Sequence, residues 1–301
     1  MRLTVSLILA FSFVTTLKAM DWPKDYVVGE GTKSPDGVYG ILMPEMNETT
    51  GGDPDNSPNY LVDVKKLRVI QKIDGVNYFR GQSHAGLAVT WSADSSFCVV
   101  EYDARFGFDS IFLLRREDNG FAQTDLGTTI QKSLDAATKK ESHVTDAGYG
   151  CQGSVAVRIG KDHKILFRVI STTNPKELEE VKTYCAFFQG AYDPASGHWI
   201  VSNAHSVNKK IYDELSTSFF GLDDSNTQYA DAQSEAESLD RNLNQLYAAL
   251  RFLLPKAEFD KVKTAQIAWL KQRDAVSGIA AKNLLVRARI KSLQDLLWQS
   301  K

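Results

Sequence analysis

The spacing of apolar residues changes once along this chain, and that change constrains the fold more than any other feature. Up to about residue 207, apolar residues fall in short runs rich in Val, Ile, Phe and Tyr, separated by Gly, Asp, Asn or Pro. Such runs read as strands joined by turns. From about Ala230 they recur at every third or fourth position, the repeat of one helix face. The fold class that follows is α+β: an antiparallel β-rich domain, then a C-terminal three-helix bundle or helical hairpin.

The expected strands are Val38–Met43, Tyr60–Val64, Leu67–Ile73, Leu87–Thr90, Phe97–Tyr102, Ser110–Arg115, Ser154–Ile159, Ile165–Ser171, Tyr184–Gln189 and His198–Ser202. Gly160-Lys161-Asp162-His163 suits a hairpin loop, and Thr49–Pro58 suits a surface loop. Residues Gln123–Tyr149 read as a polar excursion with a helical turn near Ser133–Lys140. A faint echo links Ser34-Pro35-Asp36-Gly37, Trp91–Ser96 and Tyr192–Gly197, each a tight turn whose Asp or Ser can bond back to the next amides. The first two resemble the turns of WD40-like and TolB-type propeller blades. A stretch of this length holds about four blades at most, so the expectation is a compact β domain with propeller-like hairpins, a complete propeller being the alternative.

In the C-terminal part, Ala236, Leu239, Leu243, Leu246, Leu250 and Leu253 form one stripe, ended by Pro255. A second helix is expected from about Lys256 to Val276, with Phe259, Val262, Gln266, Trp269, Leu270 and Arg273 on one face. Gly278 marks a break, and a third helix covers about Asn283 to Gln299 with Leu285, Ala288, Leu293, Leu296 and Leu297 inward. The domains expected are 20–207 (β-rich), 208–229 (a polar linker with Phe219-Phe220) and 230–301 (helical).

The order Asp240, Leu243-Asn244, Tyr247, then Gln266-x-x-Trp269-Leu270-x-x-Arg273-Asp274, then Arg287, Arg289 and Leu293, resembles the LprI-type lysozyme-inhibitor domain, first known as a domain of unknown function. The resemblance covers about the last 70 of 301 residues. It implies a helical fold and a protein partner, a lysozyme-type enzyme, with no cofactor. Typical members carry cysteines around these helices, one shortly after the Arg-Asp pair; here Ala275, Val276 and Ser277 stand there, so the helices would hold by packing alone. The ordinary role of Leu243, Tyr247, Trp269 and Leu270 is helix–helix core. Asn244, Gln266 and Arg273 need polar partners at such positions. An internal network would join Arg273 to Asp240 or Asp274 and Asn244 to Gln266; partner binding by Arg273 is the alternative.

The N-terminus reads as a secretory signal peptide, residues 1–19, with Arg2 as the basic region, Leu3 to Val14 as the apolar core and Ala19 at the cleavage point. The mature chain is therefore expected in the periplasm or beyond, without stable membrane insertion. Of the three cysteines, Cys151 and Cys185 are the preferred disulfide, closing a loop across a hairpin; three buried free thiols are the alternative.

The formal net charge of -2 hides an asymmetry. Residues 228–301 carry twelve Lys/Arg and eight Asp/Glu, net +4, whereas residues 20–227 carry 21 and 29, net -8. Neither part is basic enough to suggest nucleic acid. A basic lysozyme would be drawn to the acidic β part, so the helical part has the wrong net sign for that attraction. Catalytic signatures are lacking: the five histidines show no zinc spacing, and Gly153-Ser154 lacks the flanks of a nucleophile elbow. No catalytic and no metal residues are expected. The function expected is protein interaction in the cell envelope, by steric and electrostatic occlusion of a muramidase. The alternative is a structural or sensing envelope protein whose β domain binds a peptide, glycan or protein.

Overall fold

The computed structural model describes residues 22–45, 58–118, 120–142, 152–220 and 231–299. The expected signal peptide, Cys151, residues 49–57 of the expected surface loop and residues 221–229 of the expected linker lie outside the described residues. The fold is α+β. Twelve strands form three antiparallel sheets, each a four-stranded meander. Sheet 1 is β1 (Tyr26–Val28), β2 (Tyr39–Pro44), β3 (Asn59–Asp63) and β4 (Arg68–Ile73). Sheet 2 is β5 (Gly86–Trp91), β6 (Phe97–Ala104), β7 (Gly107–Glu117) and β8 (Gly120–Asp125). Sheet 3 is β9 (Gln152–Ile159), β10 (Ile165–Thr172), β11 (Cys185–Asp193) and β12 (His198–Val207). All ten expected strands are present; β1 and β8 are additional.

Strand alternation sends successive side chains into different cores. On β6, Cys98 and Val100 join Ile41, Leu61 and Ile73 between sheets 1 and 2. Phe97 and Val99 point the other way, to Phe167, Val169 and Phe188 of sheet 3. On sheet 3, Ile170, Cys185 and Phe187 face away from sheet 2 and meet the helices. The central strands are thus buried on both faces, which explains why they read as unbroken apolar runs. Leu42, Val62 and Val69 pack on the far side of sheet 1 with Trp22 and Tyr26. Helices cover one end of this stack, and sheet 1 ends the other.

The echoing turns occupy equivalent places in two sheets. Asp36 Oδ1 accepts the Val38 N–H at 3.0 Å between β1 and β2, and Asp94 Oδ1 accepts the Ser96 N–H at 3.1 Å between β5 and β6. The Asp193 turn departs from the expected pattern, because it joins the last hairpin of its sheet. Its place at the first hairpin of sheet 3 is taken by Gly160–Lys164, where Asp162 Oδ1 accepts the Lys164 N–H at 3.3 Å. The three first-hairpin turns touch in sequence: the Asp36 N–H donates to Ser95 Oγ at 3.3 Å, and His163 Nδ1 lies 3.8 Å from Asp94 Oδ2.

Two helices stand where polar connections were expected. Helix α1 (Gly127–Ser142) lays Ile130, Leu134 and Ala137 into the core between sheets 2 and 3. Helix α2 (Lys209–Phe220) occupies the start of the expected linker and buries Leu215 under sheet 3. Then follow α3 (Ala232–Leu253), α4 (Lys256–Asp274) and α5 (Ile279–Gln299). Asp231 begins α3 with a capping box: its Oδ1 accepts the Ser234 N–H at 2.8 Å, and its own N–H donates to Ser234 Oγ at 3.2 Å. Pro255 separates α3 from α4, and Gly278, at φ +87, precedes α5. Leu239, Leu243, Leu246 and Leu250 of α3 interlock with Val286, Ile290, Leu293 and Leu297 of α5. The inward stripe of α5 therefore differs from the one expected: Val286 and Ile290 are buried, while Ala288 is exposed. Helix α4 buries only Val262 and Gln266 and lies on the side of this pair. No described helix is long and apolar enough to cross a membrane.

Cys98 is fully buried between sheets 1 and 2, where burial pushes its thiol well above the ordinary range and keeps it unreactive. Cys185 is buried on sheet 3 and pairs in register with Thr172, whose other neighbour is Gln152. Its expected partner Cys151 lies outside the described residues.

Candidate functional site

The helical periodicity that buries Leu243 sets Asp240, Asn244 and Tyr247 along the α4-facing side of α3. From α4, the same logic presents Lys263, Gln266, Ile267, Leu270 and Arg273 to that side. Between the helices these residues line a cleft of about 330 Å³. Seven of the nine motif residues singled out in the sequence thus meet in one place: Asp240, Leu243, Asn244, Tyr247, Gln266, Leu270 and Arg273. A second hollow of about 620 Å³ shares Tyr247 and Lys263 and continues past Arg251 and Phe259 to Lys256. The two make one groove along α3 and α4. Tyr247 and Phe259 pack in its wall with ring centroids 5.0 Å apart.

Arg273 fixes one end of the groove. Its Nη1 lies 3.4 Å from Asp240 Oδ1 on α3, and its Nε donates to Asp274 Oδ1 at 3.0 Å. Both expected carboxylate partners are therefore engaged. Trp269 and Asp274 do not line the cleft. Trp269 turns toward α5 between two guanidinium groups, with Arg273 Cζ at 5.7 Å and Arg289 Cζ at 6.0 Å from its ring. The expected Asn244–Gln266 pair does not form. Gln266 Oε1 instead accepts from Arg289 Nε at 2.9 Å, while Asn244 stays exposed at the cleft edge. The reason is tertiary: α5 crosses behind α4 and delivers a charged donor to the buried amide, a stronger partner than a second amide. Partial burial lowers the pKa of Arg289.

Helix α5 is tied to its neighbours by ion pairs. Arg287 donates from Nε and Nη2 to Glu235 Oε1 at 2.9 and 2.7 Å, and Asn283 donates to Glu235 Oε2 at 3.0 Å. The Arg287 contact and the Asn283 bond hold the Glu235 carboxyl below its ordinary pKa. At the far end, Arg158 Nη2 meets Asp295 Oδ1 at 2.8 Å. Arg168, 2% exposed on β10, donates to the Trp298 carbonyl at 3.3 Å. The helices thereby sit on sheet 3 through apolar packing and two arginine contacts, with no disulfide among the described helical residues.

The groove is cationic at its surface. Lys256 is neutralised by Asp260 at 2.6 Å and Arg273 by Asp240 and Asp274. Arg251 and Lys263 make no ion pair among the described residues, and Ile267 is 51% exposed beside them. Sequence reading missed Arg251 and Lys263 as site residues. The available signal was spacing alone: Arg251 follows Tyr247 by four, and Lys263 precedes Gln266 by three. Nothing in this arrangement supplies a paired acid and base or an activated nucleophile; it offers shape, apolar contact and positive charge. No curated protein and no solved structure matches the chain. Residues 223–297, which include α3, α4 and all but the end of α5, match the family described as lysozyme inhibitor LprI, so the groove belongs to the part of the chain that this family covers.

Proposed function

We propose that the protein is an exported inhibitor of a lysozyme-type muramidase, active in the periplasm or outside the cell, and not itself an enzyme. The observation that carries this reading is the convergence of seven family-motif residues on one α3–α4 cleft, within the segment that matches the inhibitor family. Arg2, the apolar run Leu3 to Val14 and Ala19 support export. The mechanism is occlusion without covalent chemistry or a cofactor. Muramidases place a pair of carboxyl groups in their glycan cleft. Arg251 and Lys263, cationic and without ion-pair partners among the described residues, face outward from α3 and α4 and would stand opposite those carboxylates, with Ile267 beside them. This resolves the sign conflict in the charge distribution: the acidic β part draws a basic enzyme from a distance, and two local cations meet its acidic cleft at contact. Adding the full mature chain to a cell-wall clearing assay tests it. Inhibition at micromolar concentration, lost on Arg251→Glu with Lys263→Glu, is the expected result; no inhibition across several lysozyme types would remove the reading. A second reading, an envelope protein whose β domain binds a peptide, glycan or protein, has an observation of its own in a cleft of about 590 Å³ where sheets 2 and 3 meet the start of α2.

A further inference from the structure

Among the described residues, the outer face of sheet 1 meets no other sheet or helix. Leu42, Val62 and Val69 are buried there by neighbours that keep part of their own surface in water: Trp22, Tyr26, Val28, Tyr60 and Val64. The rings of Tyr26 and Tyr60 lie 5.9 Å apart on this face. At one end of the face, the β3–β4 turn runs Val64-Lys65-Lys66-Leu67, and Arg68 opens β4. Leu67 is 66% exposed and has a backbone φ of +50. That is the left-handed region, which Gly and Asn adopt readily and a bulky side chain does not. The turn around it is pinned. Asp63 Oδ1 accepts the Lys66 N–H at 3.0 Å, and the Val64 N–H donates to the Val38 carbonyl at 2.8 Å. Lys33, from the β1–β2 loop, belongs to the same end. A methyl group on Gly40 would lie 3.2 Å from Val64 and 3.6 Å from Lys33, so both side chains reach over that glycine.

A leucine at this position is unfavourable twice over. Its backbone is strained, and its side chain gains little by packing because most of it stays in water. Strain that the fold does not repay points to a use at the surface. The charges around Leu67 say which surface. Lys65 Nζ donates to the Asp36 carbonyl at 3.1 Å, and Lys66 Nζ lies 3.7 Å from Asp63 with 73% of its side chain exposed. Lys33 and Arg68 make no ion pair among the described residues. Two of the acids at this end serve the turns: Asp63 is 4% exposed, and Asp36 accepts from Ser34 Oγ and the Val38 N–H. Glu30 is the one further acid in the two loops. A stable protein interface needs about 800 Å² per partner with a packed apolar centre, which one leucine among long cations does not supply. An anionic bilayer surface fits better. The apolar tip enters the headgroup layer, the cations meet lipid phosphates, and Trp and Tyr favour the same depth.

We propose that the β3–β4 turn, with the outer face of sheet 1 beside it, is a peripheral docking surface for an anionic lipid bilayer, Leu67 entering the headgroup layer and Lys65, Lys66 and Arg68 contacting lipid phosphates. The attachment is reversible, because one leucine and a few cations hold far less firmly than a spanning helix. The net charge of -8 on residues 20–227 opposes approach from a distance. At an ionic strength of about 0.1 M that repulsion is screened beyond about 10 Å, while the turn acts at contact. This surface goes beyond the inhibitor reading and does not rest on it.

Co-sedimentation of the full mature chain with sucrose-loaded vesicles, at an ionic strength of about 0.1 M, tests the assignment. Vesicles of phosphatidylcholine with phosphatidylglycerol are expected to carry the chain down, and vesicles of phosphatidylcholine alone to bind it at least about tenfold less. Leu67→Asn places a residue suited to the left-handed turn, so the melting temperature is expected to stay or rise. Its partition onto anionic vesicles is expected to fall about tenfold, the scale of one apolar side chain kept in water. Lys65→Gln with Arg68→Gln is expected to lower partition by about tenfold or more. Absence of sedimentation with anionic vesicles up to millimolar lipid overturns the proposal, as does undiminished binding of the Leu67→Asn chain. Arg251→Glu with Lys263→Glu leaves vesicle binding in place, which separates this test from that of muramidase inhibition. Loss of vesicle binding with that pair, and not with Leu67→Asn, would put the lipid contact on the α3–α4 groove and overturn the proposal as well.

Discussion

Glu101 sits on β6 only 7% exposed, on the face it shares with Phe97 and Val99 toward sheet 3. Burial first, and the neighbouring Asp103 second, push its carboxyl from 4.5 up to about 8. Between those values the folded chain holds a proton that the unfolded chain has released, so stability falls as pH rises. The loss begins above the unfolded pKa and is complete once pH has passed the folded one. At about 1.4 kcal/mol per pH unit, the full effect is about 5 kcal/mol above pH 8, and about 3 kcal/mol of it is present at pH 7. That is a large fraction of the roughly 5–15 kcal/mol by which a domain is stable. Glu101→Gln keeps the shape of the neutral acid and removes the titration. Its extra N–H must be buried, which offsets about 1–2 kcal/mol of the gain. The penalty is about 4 kcal/mol at pH 8, so the net expectation is a variant about 2–3 kcal/mol more stable than the parent at pH 8 and no more stable at pH 5. Thermal unfolding followed by circular dichroism at pH 5, 6, 7 and 8 measures it, with about 2–4 °C expected per kcal/mol for a chain of this size. Parallel curves for parent and variant across that range would refute the assignment of a buried, proton-retaining Glu101.

Other perturbations probe the helices and the sheet junction. Arg273→Ala removes two contacts to exposed carboxylates and one ring contact from a side chain 24% exposed; the expected loss is about 1–2 kcal/mol in urea unfolding, and a larger loss of muramidase binding than of stability would make Arg273 a contact residue. Gly107→Ala forces a methyl group against the Gly153 main chain, and about 2–3 kcal/mol of destabilisation is expected in the same experiment, with inhibition unchanged.

The ten expected strands were legible because both faces of the central strands are buried and give apolar runs with turn residues between them. Helix α1 was read only as a turn, since its three apolar anchors, Ile130, Leu134 and Ala137, are spread through Thr, Ser, Lys and Asp. Helix α2 hides in the same way: Ile211, Tyr212, Leu215 and Phe219 follow a helical spacing inside a segment whose polarity suggests a linker. On α5 the register was misplaced because Leu occurs on several faces, and packing against α3 selected the Val286–Ile290–Leu293–Leu297 stripe. Seven of the motif positions line the groove, since helix spacing puts Asp240, Asn244 and Tyr247 on one side. The partner of Gln266 was not legible, because it depends on where α5 crosses.

The kinetic form of inhibition tests occlusion of the glycan cleft most directly. With a lysozyme that the full mature chain inhibits, initial rates across a range of cell-wall concentrations should show KM rising with added protein while kcat stays constant, because substrate and inhibitor compete for the same carboxylate-lined cleft. The rise should fall by at least about tenfold for the chain carrying Arg251→Glu and Lys263→Glu, the scale of losing two close charge contacts. A fall in kcat with KM unchanged, or an undiminished effect of the doubly substituted chain, would contradict the account.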